Sequence, residues 1–249
     1  MTSAKSVVAF AVLTSVVLTS GVLASQYRVQ VEFQAVGQTR NDVQIPNDST
    51  GTRFDLTDLG TGPYPGFRTT IDWTLSGPHS LRLTLAPLTI EDEGTFDKEV
   101  VFDDVAFAAG ERTESTYRFN SYRLGYRYRL VDAEDWTVHV GATAKVRDAE
   151  IELKQGDTSS SYDNVGVVPL LHVDAEYSFG RAWSGVFDAE FAAAPQGRAF
   201  DVAVLLKHSP AEDWDISTGY RTLEGGADND DVYTFAWLHY AVFSVGYNF

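Results

Sequence analysis

From residue 27 onward, apolar and polar residues take turns along the chain, and this period of two limits the fold more than any other feature. Successive side chains of a strand point to opposite faces, so strict alternation gives one apolar and one polar face. In Tyr27–Val36, the residues Tyr27, Val29, Val31, Phe33 and Ala35 share one face, and Arg28, Gln30, Glu32 and Gln34 share the other. In Thr116–Leu130 the same division sets Tyr122, Leu124, Tyr126, Tyr128 and Leu130 against Arg123, Gly125, Arg127 and Arg129. Further runs cover Phe67–Leu75, Leu81–Ile90, Trp136–Val146, Val165–Phe179, Trp183–Ala193, Ala199–His208, Trp214–Leu223 and Asp231–Phe249, making ten strands. Helical periodicity is almost absent.

Strands of this kind close into a soluble barrel with its apolar face inside, or into a membrane barrel with that face toward lipid. The apolar faces run for about nine to eleven residues before charge interrupts them, which suits a tilted membrane-crossing strand. Trp73, Trp136, Trp183 and Trp214, four of the five tryptophans, stand beside short connections, where an interfacial aromatic belt needs them. The polar faces hold small residues and opposite charges, not the uniform Lys/Glu coat of a soluble surface. Connection lengths alternate as well. Ser76–Ser80, Val131–Asp135, Gly180–Ala182 and Ser209–Asp213 are short; Gly37–Gly66, Glu91–Ser115 and Lys154–Asn164 are long. The pattern therefore predicts an all-β fold, an up-and-down antiparallel transmembrane β-barrel of ten strands. Glu99–Phe107 and Arg53–Thr57 also have strand-like content; counting both gives twelve, and eight is the other alternative.

Residues 1–24 read differently. Lys5 supplies a positive start, Val7 to Leu23 is apolar apart from Thr, Ser and Gly, and Val22-Leu23-Ala24 offers small residues for a signal peptidase. This predicts a cleaved secretory signal over 1–24 and a barrel domain over 25–249, an uncleaved anchor being the alternative. Later in the chain no run of about 18 apolar residues could form a spanning helix. With 35 acidic against 19 basic residues, a formal net charge of −16, a sequence-independent hold on nucleic acid is disfavoured. The absence of cysteine excludes disulfides, Cys-ligated metals and thiol nucleophiles.

The final run closes as Phe243-Ser244-Val245-Gly246-Tyr247-Asn248-Phe249. Together with the signal and the alternation, it resembles the small bacterial outer-membrane β-barrel proteins as a class. That resemblance implies a Gram-negative envelope location and periplasmic termini and short turns. It also implies a porin-like architecture surrounded by outer-membrane lipid and lipopolysaccharide, and an assembly signal at Phe243, Val245, Tyr247 and Phe249 read by the barrel-assembly machinery.

Pairing neighbouring strands through their short turns predicts the inward contacts. Lys207 should face Asp215, and Asp201 should face Arg221. Arg127, His139, Asp174 and Asp188 should form a row, with Arg129, Thr137 and Glu176 one level below and His172 beside Glu190 above. Arg123 belongs to the same lining, while Arg28, Glu32, Arg68, Asp72 and Arg82 populate the other wall. Such a lining is either a narrow charged conduit for small solutes or an ion-pair plug, and the limited width of ten strands favours the plug. No cofactor and no metal site is expected, because no metal-ligand spacing occurs. His172, Asp174 and Ser184 supply the residue types of a hydrolase triad, so an outer-membrane hydrolase of lipid or peptide is the enzymatic alternative to a non-enzymatic barrel. The acidic stretches at Glu91–Asp104 and Glu224–Asp231 read as a solvated exposed surface or as carboxylates bridged by divalent cations to lipopolysaccharide, and they also allow a third class, an adhesin or receptor acting through these loops.

Overall fold

The computed structural model describes residues 26–249. The expected signal segment, 1–24, lies outside them. The strands, in chain order, are β1 (Tyr27–Gln44), β2 (Phe54–Asp55), β3 (Tyr64–Thr74), β4 (His79–Ala86), β5 (Thr89–Thr95), β6 (Val100–Phe102) and β7 (Val105–Phe107), then β8 (Arg112–Asp132), β9 (Trp136–Gln155), β10 (Thr158–Ser178), β11 (Trp183–Ala194), β12 (Gly197–His208), β13 (Trp214–Asp228) and β14 (Tyr233–Asn248). Each long strand pairs antiparallel with its neighbour, β14 returns to pair with β1, and β4 and β5 share one position beside β8. Among the described residues the result is a closed barrel of ten staves. The strand-like segments that would have raised the count to twelve do not cross. One is the short hairpin β6–β7, and the other is β2 lying against the end of β1.

The parity holds around the wall. Phe33, Leu124, Leu130, Leu171, Val204 and Phe243 are exposed on the exterior, whereas Glu32, Arg123, Asp201 and Arg221 are buried inside. In a protein bathed by water this would expose a large apolar belt; toward hydrocarbon it is the favourable face. At one end of the belt each of four tryptophans meets an aromatic ring on the next strand. Trp73 stacks on Tyr27 at 5.8 Å, and Trp136 packs on Tyr177 at 4.7 Å. Trp183 packs on His208 at 4.4 Å and Trp214 on Tyr247 at 4.7 Å. All four pairs stand beside short turns, so this end sits at a membrane–water boundary.

Beyond the opposite boundary the same parity reverses its chemistry. On β9 the inward positions change from Thr143 and Lys145 to Ile151 and Leu153, while the outward ones change from Ala144 and Val146 to Glu150 and Glu152. The upper barrel therefore stands in water around an apolar filling. Lys154–Asn164, expected as a long loop, is instead two strand ends joined by Gly156 and Asp157, with Gly156 at the positive φ of +59° that such a tight turn favours. The long loops fold inward. Phe102 and Phe107 of the β6–β7 hairpin are fully buried, and Phe54 meets Phe96 and Phe102 edge-on at 5.4 and 5.9 Å. Leu56 adds to this cap from a 3-10 turn, Leu56–Asp58, whose start is held by the Asp55 carboxylate accepting the Thr57 N–H at 2.9 Å.

Emptying a buried aromatic site costs about 3–5 kcal/mol. Phe102→Ala is expected to open the cap to limited proteolysis within residues 96–111 while leaving the temperature of the heat-modifiable gel shift unchanged, because the membrane-embedded wall does not rest on it.

Candidate functional site: a charged layer across the lumen

The inward charges meet at the middle of the barrel in two connected layers. In the upper one, Asp201 on β12 accepts three guanidinium groups, from Arg123 and Arg221 at 2.7 Å and from Arg68 at 3.1 Å. Arg123 also donates to Glu190, which accepts the Thr143 hydroxyl at 2.6 Å, and Arg221 reaches Glu32 at 3.1 Å. All six ionic side chains are at most 7% exposed, so this layer is dry and nearly neutral. Isolated charges would not survive such burial; shared, hydrogen-bonded ones do.

The lower layer is wetter. Asp72 accepts from Arg82 at 2.7 Å and from Arg127 at 2.6 Å, and Asp188 accepts from Arg82 at 2.6 Å. Asp174 lies 2.9 Å from His139 Nδ1 and 3.3 Å from Arg127. Arg28 binds Asp215 at 2.7 Å across the β14–β1 closure. Gly246 makes that pair possible, since a Cβ there would stand 2.5 Å from the Asp215 carboxylate. Lys207 is drawn to Glu176. Below this layer a cavity of about 550 Å³ opens toward the short-turn end; above the upper layer lies a second chamber of about 920 Å³. Glu190 borders both, so the charged layers form the partition.

Every residue expected in the lining is on the inner side of the wall, but several partners differ. The cross-strand partner of Lys207 is Ser217, not Asp215, and that of Asp201 is Leu223, not Arg221. A slip of two residues preserves which face each side chain takes, and Arg221 still reaches Asp201 diagonally. His139, Asp174 and Asp188 do form a row, and His172 does stand beside Glu190. Arg127 is opposite Gly141, two positions above that row, and Arg129 is level with His139 instead of below it. Arg129 is more exposed, paired with Asp132 at 3.4 Å near a turn. A bulge between Arg129 and Val131 displaces that end of β8.

The wall is also less uniformly charged than expected. Ala203, Leu205, Leu223, Leu238 and Val242 are buried inward on β12–β14. Lys145, an inward residue of β9, is 4% exposed beside Arg123. On the exterior of β14 Phe243 is exposed and Tyr247 packs on Trp214, and Phe249, just past the end of the strand, is exposed too.

The hydrolase constellation is not assembled. Ser184 pairs with Ser178 and Lys207, six positions along β11 from Glu190, the partner of His172. His172 turns instead to Asp188 at 3.2 Å and Asp174 at 3.8 Å. Those three side chains bring ligand-type atoms within 4.8 Å of one another, the one such convergence among the described residues. Arg82 and Arg127 already occupy both carboxylates, however, and would repel a cation. The loop acids are engaged separately: Glu224 with Arg40 and Arg198 at 2.7 Å each, and Glu93 with Arg112. At the cap, burial pushes the Asp92 carboxyl and the Tyr64 phenol that donates to it above their usual ranges.

No family model and no curated protein matches this chain. Among solved structures it is similar to the attachment invasion locus protein Ail of Yersinia pestis (10% identity, 91% of this chain and all of that one, TM-score 0.41). It is also similar to the translocator domain of autotransporter NalP from Neisseria meningitidis (12% identity, 91% and 90% covered, TM-score 0.44). A third is the toluene transporter TodX of P. putida (12% identity, 90% of both, TM-score 0.37). These are likenesses of fold. By its own geometry the chain is a transmembrane antiparallel β-barrel.

Removing one partner of a buried pair strands the others, at a cost of about 3–5 kcal/mol. Arg123→Ala, which leaves both Glu190 and Asp201 short of a partner, should lower the temperature at which the folded gel band disappears. Arg112→Ala, at an exposed pair with Glu93, should leave it unmoved within the ~0–1 kcal/mol of surface pairs.

Proposed function

We propose that this is an integral outer-membrane barrel that works as a closed, non-enzymatic structure, not as an open diffusion pore. The observation that carries the reading is the upper ionic layer, in which Asp201 draws Arg68 on β3 and Arg123 on β8 across the lumen and Arg221 from the adjacent strand β13. A hydrated solute passing this layer must part several linked buried ion pairs at once, leaving buried charges short of partners. The cap built on Phe54, Phe102 and Phe107 adds a second obstruction at the outer mouth. Outer-membrane lipid, lipopolysaccharide and the barrel-assembly machinery are the partners this reading implies, with Phe243, Val245, Tyr247 and Phe249 as the segment offered to assembly.

Among the described residues Ser184, the expected nucleophile, stands away from His172, which supports the non-enzymatic part of the proposal. Purified, folded protein in planar bilayers is expected to show no steady ohmic current, and liposomes containing it should not swell in sugar solutions. A stable conductance that persists without voltage-induced opening would overturn the closed-barrel reading and leave the narrow channel in its place.

A further inference from the structure

The wall of the barrel is incomplete on one side. Strand β10 pairs with β9 along its whole length, from Thr158 to Tyr177, but its ladder with β11 begins only at Leu171 opposite Phe191. Among the described residues Thr158–Leu170 therefore has a single ladder partner, and Ala192, Ala193 and Ala194 at the top of β11 pair with no strand on that side. Pro169 stands at the point where the second ladder ends. Proline gives no N–H to a ladder, so it is tolerated along such an edge and not within a fully paired strand. The exterior flank of the notch remains apolar, with Val167 at 71% and Leu171 at 59% exposed, so the gap opens at the level of lipid.

The chamber of about 920 Å³ reaches through this notch. It is bordered by inward residues, Tyr117, Ile151 and Leu170, and equally by lipid-facing ones, Val167, Leu171 and Phe191. A cavity lined by both faces of one sheet passes through it. Its volume is within the range of ligand sites and its lining is mostly apolar.

At the base of the chamber is a cation without an anion. Lys145 is 4% exposed, with its ammonium 4.7 Å from the centre of the Phe119 ring, and among the described residues no carboxylate lies within 4.0 Å of it. The neighbouring acids, Glu190 and Asp201, are taken by arginines. Arg147, higher on the same strand, donates among the described residues to the neutral amide of Asn164 and to no carboxylate. A buried ammonium beside an apolar space is costly unless something negative joins it.

We propose that the chamber takes a single-chain anionic amphiphile, a long-chain fatty acid, admitted sideways from the outer leaflet between β10 and β11, with Lys145 binding its carboxylate. The acyl chain lies along Tyr117, Ile151 and Leu170 and leaves past Leu171 and Phe191 into the bilayer. This reading does not require the lumen to be closed, so a conducting barrel would leave it standing.

The test uses the full chain in nanodiscs of neutral phosphatidylcholine and a palmitic acid analogue with a photoreactive diazirine in mid-chain. Cross-links located by mass spectrometry are expected on Tyr117, Leu170 or Phe191. Lys145→Met should reduce their yield by about tenfold or more, the worth of one charge-assisted hydrogen bond, and Lys145→Arg should retain it. Ala193→Trp, at the rim of the notch, should slow labelling; an unchanged rate overturns the lateral route. The alcohol of the same chain length should label weakly on the unaltered protein, a comparison that stands whether or not Lys145→Met assembles. Equal labelling by acid and alcohol overturns the proposal, and stronger labelling by the matching alkyl phosphate overturns the fatty-acid assignment in favour of a phosphate head group.

Discussion

Hydrocarbon outside the wall leaves an inward-facing charge only two recourses, a counter-charge across the lumen or the water of an end chamber. The arrangement of this barrel follows from that restriction. Lipid offers no hydrogen bonds to backbone groups, so the sheet has to close, and β14 returns to β1. Closure then confines ionic side chains to a narrow interior. Arginine suits that space because its planar fork serves several acceptors at once. Arg123 bridges Glu190 and Asp201, and Arg221 bridges Asp201 and Glu32. The net negative charge of the chain consequently resides away from this layer, on exposed segments.

Above the membrane boundary the solvent changes, and the barrel changes with it. With water outside, the favourable filling is apolar, and Ile151 and Leu153 occupy the same inward parity that polar residues hold below. The loop segments around Phe54 and Phe102 complete that filling, so the long connections are structural parts of the upper barrel more than free binding arms. Many of their acids serve the same end, as Asp55 does in capping a turn and Glu224 in joining Arg40 to Arg198.

The two halves join at the layer where Lys145 lies. Here the ionic network ends, the apolar filling has begun, and the ladder between β10 and β11 gives out. A lone ammonium, an apolar chamber and a gap in the wall coincide at one place. Each alone would be unremarkable in a membrane barrel; together they define an environment matched to a molecule with a charged head and a greasy chain.

Much of this was legible in the residues themselves. Alternation over Tyr27–Val36, Thr116–Leu130 and the other runs marked the membrane-crossing strands and which of their side chains face lipid, because a period of two admits one division of faces; that the strands number ten and not twelve or eight was decided by the structure. Tryptophans beside short turns marked one boundary. The change from Val146 outward to Ile151 inward marks the other, and it too stands in the sequence as an inversion at constant parity, beyond the end of the Trp136–Val146 run. Tertiary structure alone decided the offsets between strands, such as Lys207 opposite Ser217, since a slip of two leaves every face unchanged. It alone decided that three arginines share Asp201, that Phe102 folds back into the mouth, and that β10 loses its neighbour above Leu171. Such features depend on which distant strands end level with one another, and a repeat of two residues contains no record of height.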